Sequence, residues 1–186
     1  MQKNKFPFLM KAIAIGTTLS TLILLLVHRN LHCPWALAAA ISCGTTAYHF
    51  VMRLGIGHLI LAVTKNDFDY HHPWFQPRKW EPALYAKLQL KRRKEHLPTY
   101  DPSQFSLESN SVIQVIQNTC GAEVVHEIIM VLSFLPILTV PVLGAFPVFL
   151  VTSLLAALYD SIFVMAQRFN HPRLIRILEK QEAKRP

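Results

Sequence analysis

The chain has 186 residues, 52% hydrophobic and only 16% charged, and its mean hydropathy is +0.28. Soluble domains carry roughly a quarter charged residues; here the charges cluster between long apolar runs, which excludes an ordinary soluble domain and points to a membrane protein. The net charge of +8 flanks apolar segments without any nucleic-acid motif, so it suits anionic headgroups or a phosphorylated substrate and gives no support to a nucleic-acid partner.

The expected fold is an all-α integral membrane protein, a single membrane domain over residues 1–186. It has four transmembrane helices and a basic amphipathic interfacial helix. The first span, about 8–27, follows Lys3 and Lys5 and is apolar from Ala12 to Val27. A cleaved signal peptide is the rival reading, but no small-x-small site closes the run, which favours an uncleaved span. The second span, 34–63, carries Ser42, Thr45, Thr46, His49 and Arg53 on one side when wound as a helix, with His49 and Arg53 four residues apart. That polar stripe must face protein or water, and it is expected to line the same cavity as His126. Otherwise Arg53 snorkels and His49 makes a structural hydrogen bond.

Residues 64–110 form the long polar segment and hold eight of the 19 Lys and Arg residues, including Lys91, Arg92, Arg93 and Lys94. Trp74, Phe75, Trp80 and Tyr85 are interleaved with them. Pro82 suits a helix start, and Trp80, Leu84 and Leu88 recur at helical spacing. The segment reads as an amphipathic helix in the cytoplasmic interface.

The third span, 115–140, contains Glu123, His126 and Glu127, which fall within about a third of a helical turn of each other. Charges in hydrocarbon cost several kcal/mol unless paired or facing water. Pro136 is expected to kink this span. The fourth span, 146–167, places Ser153, Asp160 and Gln167 along one side and leads into a basic tail, 168–186. The N-terminus, the 64–110 loop and the tail hold three, eight and six Lys or Arg residues, against Arg29 alone in the opposite loops. This positive-inside pattern predicts both termini in the cytoplasm.

A histidine beside carboxylates suits general-base work, with the carboxylate orienting the ring. His126 is the expected base and Glu123 its orienting partner, while His49, Arg53, Glu127 and Asp160 are candidate substrate contacts. No nucleophile elbow or Walker motif is present, so the base would act directly on an acceptor hydroxyl beside an activated acyl donor. His28 and His32, with His71 and His72, loosely resemble the boxes of membrane di-iron enzymes, and His126-Glu127 lacks the second histidine of HExxH. Neither makes a convincing metal site. Cys33, Cys43 and Cys120 are isolated and odd in number, with no CxxC pair, which argues against a disulfide framework or thiolate site. No intrinsic cofactor is expected. A buried polar network fastening helices together is the alternative use of the Glu–His–Glu cluster, which would suit a membrane scaffold or lipid-binding subunit. A transport subunit finds little support, because the four spans show no repeat.

Three blocks give the chain a resemblance to the glycosyl-4,4'-diaponeurosporenoate acyltransferase family, small membrane proteins that finish staphyloxanthin-type carotenoids. They are Trp74-Phe75-x-x-Arg78-Lys79-Trp80, Ala122-Glu123-x-x-His126 with the apolar run to Pro136, and Gln167-Arg168-Phe169-Asn170-x-Pro172-Arg173-Leu174. The resemblance implies a multi-pass protein of the bacterial cell membrane. It would transfer a fatty acyl group from an acyl-CoA-like donor to a sugar hydroxyl of a glycosylated carotenoid or another glycolipid. It also implies a place in the family's blocks for Glu123, His126, Arg168, Asn170 and Arg173. Our own expectation is that Arg53, Arg168 and Arg173 hold donor phosphates or stabilise the developing oxyanion. Glu127 departs from the family pattern, in which an aromatic follows the histidine. The N-terminal half diverges from the family, which leaves the acceptor open. Membrane lipids, the acyl donor and a lipid-linked acceptor are the expected partners.

Overall fold

The computed structural model describes residues 5–94 and 97–184, and these fold without a strand into α-helices joined by short 3-10 turns. The helices are α1 (Phe6–Leu31), α2 (Pro34–Thr64), α3 (Glu81–Lys87), α4 (Leu90–Arg93), α5 (Val112–Leu132), α6 (Val140–Leu143) and α7 (Phe146–Glu182). Among the described residues, four helical stretches are long and apolar enough to cross a membrane: Phe6–Leu31, Pro34–Thr64, Val112–Leu143 and Phe146–Glu182. The all-α, four-span architecture agrees with the sequence reading.

Three boundaries differ from it. The third span is helical only to Leu132 and continues as a 3-10 turn, Leu135–Thr139, with Pro136 near its start. Proline lacks the N–H that would extend the α-helix, and it also restricts the residue before it. The fourth span and the basic tail are one helix of 37 residues that retains Pro172 in its interior. The basic segment is helical in two short pieces, separated by Gln89 in the left-handed conformation (φ 51°). Its buried stripe is Glu81 and Tyr85, whereas Trp80 is exposed.

Contacts group the residues into two units. The first comprises Met1–Ile56 and Ile128–Tyr159, the second Gly57–Glu127 and Asp160–Pro186. In the first, small residues bring helices close: a Cβ on Gly44 of α2 would stand 3.3 Å from the Thr21 methyl of α1. Thr17, Thr18 and Thr21 return their hydroxyls to carbonyls one turn back, at 2.7–2.8 Å, so these three hydroxyls are satisfied within the helix. His32 closes α1 in the left-handed conformation, its N–H on the His28 carbonyl, and the His28 ring meets the Cys33 carbonyl at 2.9 Å. The two histidines of the weak HxxxH box thus shape a turn.

The second unit has its own core of Phe75, Val112, Val115, Ile116, Cys120, Leu174 and Leu178. Residues 66–68 run across α5 as a strap. Gln117 accepts from the Phe68 N–H at 2.7 Å and donates back to the Phe68 carbonyl at 3.0 Å. Asn66 donates to Asn118, which donates on to the Gln104 carbonyl. The strap can lie this close because position 121 has no side chain: a Cβ there would stand 2.8 Å from Asn66 Oδ1 and 3.2 Å from Phe68 Cε2.

Candidate active site

The second unit gathers most of the singled-out residues. On α5, His126 turns its Nδ1 to Asp160 Oδ1 of α7 at 2.9 Å. Its ring stacks on Phe163, with centroids 4.7 Å apart and planes within 12°. The histidine side chain is 24% exposed while Asp160 is 1% exposed, so a buried carboxylate fixes a ring that is itself partly exposed. A carboxylate on Nδ1 selects the tautomer with the proton there and leaves the Nε2 lone pair to act as base.

Glu123 does not take the orienting role expected of it. Its Oε1 accepts from Arg168 Nη1 at 2.6 Å, and the residue is fully buried. The periodicity argument saw Glu123 and His126 on one helix face but had no way to rank a carboxylate arriving from α7.

Arg168 is the hub of this unit. Nε donates to Glu81 Oε1 at 2.8 Å, and Nη2 stands 2.8 Å from the same oxygen. Nη1 also donates to the Trp74 carbonyl at 2.8 Å, and Nη2 to the Gln76 carbonyl at 2.9 Å. Every guanidinium nitrogen therefore has a protein acceptor, and the planar fork is matched by two carboxylates and two carbonyls. Holding a donor phosphate would require displacing one of them. The arrangement ties the 74–81 segment to α5 and α7. Glu81 was not visible as a site residue in the sequence. Burial pushes the phenol of Tyr85, one turn on, above its ordinary range, and the adjacent Glu81 carboxylate adds to the shift.

The remaining candidates fall around this hub. Glu127 Oε2 accepts from the Trp74 indole Nε1 at 2.9 Å, which holds an exposed tryptophan in place. Asn170 accepts from Lys94 Nζ. Arg173 stacks its guanidinium 4.0 Å from the Phe169 ring centroid, and the Lys94 ammonium lies 5.1 Å from the same ring. His49 and Arg53 belong to the first unit. There Arg53 donates to the His49 carbonyl at 3.0 Å and to the Ala156 carbonyl at 3.4 Å. Tyr48 in the same helix donates to the Leu132 carbonyl at 2.7 Å. His126, Asp160, Glu123, Glu127, Arg168, Asn170 and Arg173 all belong to the second unit.

A family model described as glycosyl-4,4'-diaponeurosporenoate acyltransferase matches residues 71–180, more than half of the chain. The chain belongs to this family. It is therefore an acyltransferase, and with its four apolar helices a membrane-embedded one. No curated protein and no solved structure matches it. The part of the acyltransferase that the family covers contains His126, Asp160, Arg168 and both carboxylates on Arg168, and it leaves out His49 and Arg53.

Proposed function

We propose that this acyltransferase moves a fatty acyl group from an acyl-CoA-like thioester to a hydroxyl of a glycosylated carotenoid or another glycolipid, with His126 as the general base. The observation that carries the reading is the His126–Asp160 pair at 2.9 Å, backed by Phe163. The acceptor hydroxyl oxygen attacks the thioester carbonyl carbon as its proton passes to His126 Nε2. The tetrahedral intermediate collapses, the C–S bond breaks, and the proton returns to the departing thiolate. Asp160 holds the ring and stabilises the imidazolium formed in between. No enzyme nucleophile and no intrinsic cofactor are needed, because the thioester is already activated and the site supplies proximity.

Arg168, with its nitrogens committed to the protein, positions the 74–81 segment beside α5 and leaves the chemistry to His126. The charge pattern supports a cytoplasmic location for both termini and for residues 64–110, the side from which a soluble thioester arrives. Membrane lipids surround the spans and a lipid-linked acceptor enters from the bilayer.

The test is turnover by purified protein in lipid nanodiscs, with radiolabelled acyl-CoA and candidate glycolipids. The expected result is a loss of about 10²-fold or more in kcat for His126→Ala, the usual contribution of a general base. A smaller but at least roughly tenfold loss is expected for Asp160→Asn, which disturbs the tautomer. Wild-type turnover in His126→Ala overturns the mechanism.

A further inference from the structure

The second unit contains a cleft of about 670 Å³ between α3–α4 and the C-terminal half of α7, well within the size range of small-molecule sites. Its lining is aromatic and proline-rich: Tyr85 packs edge-on against Phe169, with centroids 5.8 Å apart, and Pro82 and Pro172 contribute beside them. Its charged lining is of one sign: Lys91, Arg92, Arg173 and Arg176 contribute, and no aspartate or glutamate does among the described residues. Arg168 also reaches the cleft, but Glu81 and Glu123 outweigh its charge. The positive field therefore comes from the other four. Acceptors already occupy the nitrogens of Arg168, whereas the Arg173–Phe169 contact uses the face of the guanidinium and spends none of its N–H donors on the ring.

We propose that this cleft binds the phosphorylated nucleotide end of the acyl-CoA donor, a step that rests on the thioester reading above. Charge is the first argument. A lipid phosphodiester brings a single negative charge, whereas a phosphate monoester alone carries about 1.5 to 2 near neutrality. A nucleotide bearing both a monoester and a pyrophosphate matches the four lining cations far better. Shape is the second. A headgroup would meet a flat basic surface, whereas this lining is a cleft of about 670 Å³ with Pro82 and Pro172 among its apolar residues. Position is the third. Arg168 lines the cleft and, from its Nη1, bonds Glu123, one helical turn before His126 on α5. The Arg168–Glu123 contact thus links the cleft to the helix that carries the proposed base, and a donor anchored by its phosphates would extend its thioester arm toward α5. The family match covers every one of these cations.

Binding of coenzyme A and of adenosine 3',5'-bisphosphate is measured on the whole protein in nanodiscs of zwitterionic phosphatidylcholine. Charge reversal in Arg173→Glu/Arg176→Glu, and separately in Lys91→Glu/Arg92→Glu, is expected to weaken both ligands by at least about tenfold. Arg173→Lys/Arg176→Lys retains most of the affinity, and His126→Ala binds coenzyme A as the wild type does. In turnover assays the reversals raise KM for acyl-CoA and leave kcat at saturation within about twofold. Unchanged coenzyme A affinity in both reversal variants overturns the assignment. So does a loss confined to binding of phosphatidylglycerol nanodiscs, which marks a headgroup site, or competition by holo acyl carrier protein without competition by the bisphosphate. Binding that follows the expected pattern without acyl transfer by the wild type keeps the cleft and removes the catalytic reading. Transfer with an unaltered KM in the reversal variants does the reverse.

Discussion

At the scale of single residues the second unit sets two carboxylates on one guanidinium, in a place from which water is excluded. Glu81, Glu123 and Arg168 are all buried. Removing the central cation leaves two carboxylates facing each other without compensation, and breaking a buried pair in this way costs about 3–5 kcal/mol. Arg168→Ala is therefore expected to lower the unfolding midpoint and the yield of membrane-inserted protein, as read by thermal unfolding monitored by size-exclusion fluorescence. Glu123→Gln retains an acceptor for Nη1 and removes a like charge from beside Glu81, so its loss should be below about 1.5 kcal/mol, the worth of one ordinary hydrogen bond. Arg168→Lys cannot reproduce a fork that meets four acceptors and should resemble the alanine variant. Wild-type stability in Arg168→Ala would refute the description of this group as the fastening of the 74–81 segment. Asp160 differs in kind, because it meets a reachable histidine, and its replacement should cost turnover more than folding.

Elements show how far pattern alone can reach. The long apolar runs were readable because membrane insertion writes itself as local composition, and the family blocks drew attention to the stretch of α5 that carries His126. Partnership between elements was not readable. Asp160 lies 34 residues from His126 and Glu81 lies 87 from Arg168, and helical periodicity tells which residues share a face but not what arrives opposite it. Glu123 looked like the natural partner of His126 for that reason. The same limit hid the strap at residues 66–68, whose only local sign is a glycine in an otherwise regular helix. Gly121→Ala places a methyl against Asn66 and Phe68, and the Asn66 contact at 2.8 Å is shorter than packed side chains tolerate. The expected outcome is a destabilisation of about 1–3 kcal/mol, with faster amide exchange at Phe68, whose N–H is held by Gln117. An exchange profile unchanged at residues 66–68 would show that the strap moves aside at no cost.

At the scale of the whole molecule the distribution of charge carries the proposed orientation in the membrane. The proposed orientation, with both termini in the cytoplasm, puts the connection between α1 and α2, which contains Cys33, on the outside. In a Cys43→Ser/Cys120→Ser background, Cys33 is expected to react with a membrane-impermeant maleimide in intact cells. Labelling only after permeabilisation would reverse the orientation and remove the cytosolic route for the donor.

The guanidinium of Arg168 also fixes a chronology. Its partners are made long before it: Glu123 precedes it by 45 residues and Glu81 by 87. At about 5–20 residues per second, the ribosome exposes both carboxylates for several seconds before their cation emerges. During that interval the 74–81 segment has nothing to close upon, so this part of the enzyme matures only after α7 has been translated. A chain ending at Gln167 would keep all four spans' apolar runs and still never assemble the Arg168 cluster that fastens residues 74–81.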